Sequence, residues 1–172
     1  MPLWLKLAWT AFVIVLVPLY WREYGPTNFL WFSDIALFGI VLALWREDAL
    51  IAGMMALSVM VLELAWTVDF VAAGKLIGLG GYIFDPEIAL WLRALSLFHL
   101  PIPPTVGWLL YRLGYDRRSL WAQTVLAWVV LPATYVLTDP ADNINWVFGL
   151  SEQGLRLQPP LLHLAAMMAG FP

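Results

Sequence analysis

The chain of 172 residues has no cysteine and very little charge. Without cysteine there is no disulfide, no thiolate nucleophile and no Cys-based metal site, and nothing marks the redox compartment. Asp, Glu, Lys and Arg make up 12% of the residues, whereas soluble domains carry about 25%. The net charge of −3 leaves no basic footprint, so nucleic acid is not an expected partner. In place of charge the chain has apolar residues, 62% of the total, and a mean hydropathy of +0.79. That balance belongs in lipid. Eleven tryptophans fit the same setting, because indole sits well at headgroup level. The composition therefore predicts an all-α fold, a polytopic transmembrane helix bundle forming a single integral membrane domain over 1–172, with membrane lipids as its surroundings.

A span needs about 20 apolar residues. Segment one runs from Trp4 to Trp21 and has no small-x-small cleavage site before Arg22, so it reads as an uncleaved first span. Gly25-Pro26-Thr27 turns the chain into segment two, about Asn28 to Trp45, which Arg46-Glu47-Asp48 closes. Segment three is Ala49 to about Ala72. The glycine-rich stretch Gly74–Tyr82 lacks a Gly-Lys-Ser/Thr ending and a helix opening onto it, so it is a surface connection rather than a phosphate loop. Asp85-Pro86-Glu87 reads as a helix start. Segment four, about Ile88 to Tyr111, carries Pro101, Pro103 and Pro104. These remove backbone donors and disfavour helix before them, so this helix should kink or break just after His99, beside an internal cavity. Segment five is Ser119 to about Thr138. Segment six starts at Pro159-Pro160 and runs out at Pro172, roughly 21 Å as helix and short of a full span. About six membrane segments result, the fourth proline-kinked.

Lys6, Arg46, Arg112, Arg117 and Arg118 fall on one side, and Arg22, Lys75 and Arg156 on the other. The positive-inside rule then places both termini in the cytoplasm of a multi-pass cell-membrane protein. Asp85, Glu87, Asp139, Asp142 and Glu152 fall on the outer side.

Ionisable groups at membrane depth are costly, by about 2.5–3.5 kcal/mol or more, and so are candidates for function. Counting about 1.5 Å per helical residue puts Ser33, Asp34 and Arg93 roughly 8–9 Å from the outer end, and Glu63 and His99 roughly 14–16 Å from it. Asp34 and Arg93 are thus at matching depth for an intramembrane ion pair, and Glu63 and His99 for a second contact. Each group also has a structural reading: a register-locking pair, a protonated Glu63, a satisfied histidine at His99. Asp69 reads as interfacial, His163 as structural or interfacial, and Asn143 and Asn145 as turn residues. Neither histidine belongs to a His-x-x-x-His or Glu-x-x-His pair, so no metal and no cofactor is expected.

The order of Leu30-Trp31-Phe32-Ser33-Asp34-Ile35-Ala36, then Arg93-Ala94-Leu95-Ser96-Leu97-Phe98-His99, then Asp142-Asn143-Ile144-Asn145-Trp146 resembles the six-span intramembrane hydrolase and acyltransferase group. That group includes the androgen-induced fatty-ester threonine hydrolases and bacterial proteins related to a human transmembrane acyltransferase. The resemblance implies a nucleophile at Ser33, where the group has Thr or Cys, and a base at His99. Serine at that position and the incomplete sixth segment are departures from the pattern.

Three functions follow. In lipid ester hydrolysis or acyl transfer, His99 takes the Ser33 proton, Asp34 or Glu63 orients the imidazole, and Arg93 or Asn145 stabilises the oxyanion. The second is a non-enzymatic accessory, structural or lipid- or pigment-binding subunit, in which partner membrane subunits or a homo-oligomer enter. The third is a small transporter using Asp34, Glu63 and Arg93.

Overall fold

The computed structural model describes residues 1–150 and 159–170. Glu152, Arg156 and the end of segment six lie outside the described residues. Among the described residues the chain is helical: α1 Leu3–Tyr24, α2 Phe32–Arg46, α3 Ala49–Val71, α4 Leu90–Ser96, α5 Ile102–Leu113, α6 Arg118–Leu137 and α7 Pro160–Ala169, with 3-10 turns at Pro26–Leu30, Gly81–Phe84, Leu97–His99 and Ile144–Trp146. Three of these helices, α1, α3 and α6, are long and apolar enough to cross a membrane. Only 17% of the apolar stretch of α1, and 33% of those of α3 and α6, is buried inside the protein. Val61, Val71, Trp121 and Val136 are among the large apolar side chains that point outward. Apolar residues on every side of a helix are the mark of a lipid-facing span rather than of a water-facing one.

α3 is the central element and packs against α2, α5 and α6, while α1 lies on α2 and α7 on α6. Cross-links show that the helices run up and down between two ends. At one end, Lys6 Nζ donates to Glu47 Oε1 at 2.8 Å, and the Ser119 hydroxyl donates to Leu50 O at 2.9 Å. The Lys6 ammonium and the Met1 amine hold the Glu47 carboxyl down at about 2. The α2–α3 turn is tight because Glu47 adopts a left-handed conformation and Asp48 caps α3, its Oδ1 accepting from Leu50 N and Ile51 N. Gly53 lets α6 approach α3 there, since a side chain at Gly53 would collide with Ser119.

At the other end the structure departs from two sequence expectations. Segment two does not begin as helix at Asn28: a 3-10 turn occupies Pro26–Leu30 and α2 starts at Phe32. Ser33 and Asp34 therefore sit in the first helical turn, not roughly 8–9 Å along a helix from its outer end. Segment four does not begin at Asp85 either. Asp85 Oδ1 accepts from Glu87 N in a local turn, and α4 starts at Leu90. The break after His99 is where the prolines place it: α4 tightens into the 3-10 turn Leu97–His99, and α5 restarts with Pro103 and Pro104 in its first turn, where a missing N–H costs nothing.

Candidate functional site

Of the residues singled out from sequence, Ser33, Asp34, Glu63, His99 and Asn145 line one cavity of about 350 Å³. The volume falls in the range of about 300–1,000 Å³ typical of small-molecule sites. Its walls come from α1, the start of α2, the middle of α3, the broken α4–α5 segment and the loop before α7.

Glu63 and His99 are in direct contact. His99 Nδ1 lies 2.8 Å from Glu63 Oε2 and 3.0 Å from Oε1. Glu63 is 3% exposed, so this is a carboxylate–imidazole pair inside the protein. The carboxylate keeps the proton on Nδ1 and leaves the Nε2 lone pair for another partner. Nε2 has no hydrogen bond among the described residues, and it is not sealed off. The ring is held by stacking, on Trp66 with centroids 4.7 Å apart and on Phe98 at 4.2 Å. The break after His99 frees the ring to turn toward α3 at the level of Glu63.

The expected ion pair between Asp34 and Arg93 does not form. Asp34 Oδ2 accepts from Asn28 Nδ2 at 3.2 Å, and Oδ1 is buried without a partner. Arg93 points away from the cavity and donates from Nη1 to Ile83 O at 3.3 Å, and its Nε is buried without a partner. Equal depth on two helices does not make two side chains face each other, and here α4 turns Arg93 toward the Gly81–Phe84 turn.

Ser33 makes no hydrogen bond to His99 or to any other described group. Its main-chain N–H and that of Asp34 are likewise without partners. Both are first-turn amides with no carbonyl a turn earlier to bond.

The asparagine loop supports the site. Asn145 Oδ1 accepts from Phe32 N at 3.1 Å, and its Nδ2 donates to Leu30 O at 2.8 Å. α2 has no side-chain cap of its own, so Asn145 caps it from across the molecule. With both ends of the amide on main chain, Asn145 is a positioning residue and not the oxyanion donor expected above. Arg93, the other expected donor, does not line the cavity. Asn143 organises the loop, donating to Gly149 O at 2.9 Å and accepting from Phe148 N at 3.0 Å. Asn143, Asn145 and Trp146 all have positive φ. For Trp146 that conformation costs about 1–2 kcal/mol, and it aims the carbonyl at His163, whose Nε2 donates at 2.9 Å. The Trp146 ring meets Trp31 edge-on at 5.4 Å.

Asp69 is 0% exposed. Its carboxylate accepts from Leu76 N, Ile77 N and Gly80 N at 3.0, 2.8 and 2.8 Å. The glycine-rich stretch is thus wound around an internal carboxylate, and it carries Leu79 and Tyr82 to the cavity wall.

Sequence reading missed Tyr20, Ser58, Trp66, Tyr82 and Ser96, all of which line the cavity. Tyr20 bonds Ser96 Oγ at 2.9 Å, and burial pushes the Tyr82 phenol up to about 12. Val59, Leu62, Glu63 and Trp66 recur at helical spacing on one face of α3, the one sequence signal that points to part of this set. Among the described residues no three His, Asp or Glu side chains gather as a metal-binding group.

Comparison with protein families, with characterised proteins and with solved structures finds no match for this chain. The function has to be read from the site.

Proposed function

We propose that the chain is a multi-pass membrane protein that hydrolyses or transfers the acyl group of a lipid ester, with Glu63–His99 as its base. The observation that carries this reading is the Glu63 carboxylate on Nδ1 of a stacked imidazole whose Nε2 is free at a cavity wall, which is the orienting half of a nucleophile–base–carboxylate arrangement. Ser33 is the nucleophile. Substrate binding brings its Oγ within about 2.6–3.2 Å of Nε2, a contact that tightens with substrate in many such sites. As Oγ bonds the ester carbonyl carbon, its proton passes to Nε2. The carbonyl oxygen becomes an oxyanion, held by the unpartnered amides of Ser33 and Asp34 at the start of α2. Collapse expels the alcohol, which takes the proton from Nε2 and leaves acyl-Ser33. Water or a second alcohol then repeats the sequence. The six-segment topology and cytoplasmic termini belong to the same proposal.

A fluorophosphonate probe tests it. Mass spectrometry of the labelled protein should place the adduct on Ser33, with labelling abolished in His99→Ala and slowed about 10²-fold or more in Glu63→Gln. Absence of labelling in folded protein, or labelling indifferent to His99, would show that the cavity only binds its ligand.

A further inference from the structure

The cavity wall contains two buried polar atoms with no protein partner: Asp34 Oδ1 and Ser58 Oγ. Such atoms are rare in folded proteins, and each is costly unless something outside the chain satisfies it. They differ in kind. Asp34 Oδ1 is a carboxyl oxygen that a donor can satisfy, whereas the Ser58 hydroxyl can donate to an acceptor. Asp34 is 3% exposed, and no Lys or Arg lines the cavity among the described residues. No lysine or arginine among the described residues pairs with it there. The wall around it is aromatic, built from Tyr20, Tyr24, Trp31, Trp66 and Tyr82. Aromatic faces attract cations, and more strongly when the cation is out of water.

We infer that the cavity takes an amphiphile whose headgroup carries a primary ammonium together with ester or phosphate oxygens. The ammonium donates to Asp34 among the aromatic rings, and the oxygens accept from Ser58. A primary ammonium answers the unpartnered oxygen because it brings N–H donors. A quaternary ammonium supplies the charge but no hydrogen bond and leaves Oδ1 unpaired. A neutral polyol head supplies the bond but no charge. This names the substrate class for the reading above and rests on the same cavity, but it is read out by binding alone.

Chain-matched lysophosphatidylethanolamine, lysophosphatidylcholine and lysophosphatidylglycerol are the probes, titrated into the protein in a neutral detergent. Quenching of tryptophan fluorescence reports binding, and the melting temperature is a second readout. The ethanolamine head should bind about tenfold or more tighter than the glycerol head and several-fold tighter than the choline head. Asp34→Asn should erase these differences. If Asp34→Asn does not fold, the wild-type series still decides. Equal affinity for the ethanolamine and glycerol heads, or for the ethanolamine and choline heads, overturns the inference. Headgroup preference without fluorophosphonate labelling removes the hydrolase reading alone, and labelling without preference removes the headgroup assignment alone.

Discussion

A single side chain, Asn145, decides where α2 begins. It supplies the acceptor that Trp31, the preceding residue, cannot give to Phe32 N, and it ties down Leu30 O at the same time. Replacing it with alanine removes the cap and the bond to Leu30 O. The cap alone is worth about 0.5–2 kcal/mol, and the bond to Leu30 O adds about 0.5–1.5 kcal/mol. Asn145→Ala should therefore lower the melting temperature in detergent by several degrees and also slow fluorophosphonate labelling, because Ser33 and Asp34 ride on the turn it holds. Ser33→Ala, by contrast, should block labelling with little change in melting temperature. Asparagine before a last segment reads naturally as a turn residue, and Asn143 is one. The role of Asn145 depends on a partner 113 residues away, which no local pattern contains. The same limit applies to Asp34. Counting residues along helices gives depth correctly enough to set Glu63 beside His99, but it carries no information about which way a side chain faces. That is why Arg93, at the same counted depth as Asp34, is bonded to Ile83 instead.

At the scale of elements, two segments behave differently for a physical reason. The break in segment four was legible because proline acts through covalent geometry, on its own residue and the one before it. The glycine-rich loop was legible only as a loop. Its shape depends on Asp69, which is part of α3 and gathers the amides of Leu76, Ile77 and Gly80. Gly74 makes the winding feasible: its φ is +72°, and a side chain there would run into Gly81. Asp85 illustrates the opposite error, since a carboxylate that accepts from a nearby amide serves a turn as readily as a helix cap. Removing the Asp69 carboxylate should release the loop while sparing the helices. Trypsin cleavage after Lys75, which is exposed, should become about tenfold or more faster in Asp69→Ala, with the helical circular dichroism signal nearly unchanged. An unchanged cleavage rate would mean that the loop is held by its own packing, through Leu79 and Tyr82, rather than by the buried carboxylate.

For the whole molecule, the question is which end faces which side of the membrane. The contacts of Lys6 with Glu47 and of Ser119 with Leu50 gather the start of α1, the α2–α3 turn and the α5–α6 turn at one end. The contacts of Asn145 with Phe32 and of Asp69 with Gly80 gather the start of α2, the glycine-rich loop and the asparagine loop at the other. The cavity lies toward this second end, since Ser33, Leu79 and Asn145 all line it. Among the described residues the basic side chains favour the first end as the cytoplasmic one, Lys6, Arg46, Arg112, Arg117 and Arg118 against Arg22 and Lys75. The lack of cysteine makes this directly testable, because any introduced thiol is the sole reporter. Arg46 and Arg117 are exposed at the first end, and Lys75 and Asp142 at the second. In intact cells a membrane-impermeant maleimide should label Lys75→Cys and Asp142→Cys at once, and Arg46→Cys and Arg117→Cys only after lysis. The reverse pattern would turn the cavity toward the cytoplasm and with it the leaflet that supplies the lipid. Labelling of all four before lysis would contradict the two-ended arrangement itself, because a lipid barrier between the ends is what separates them.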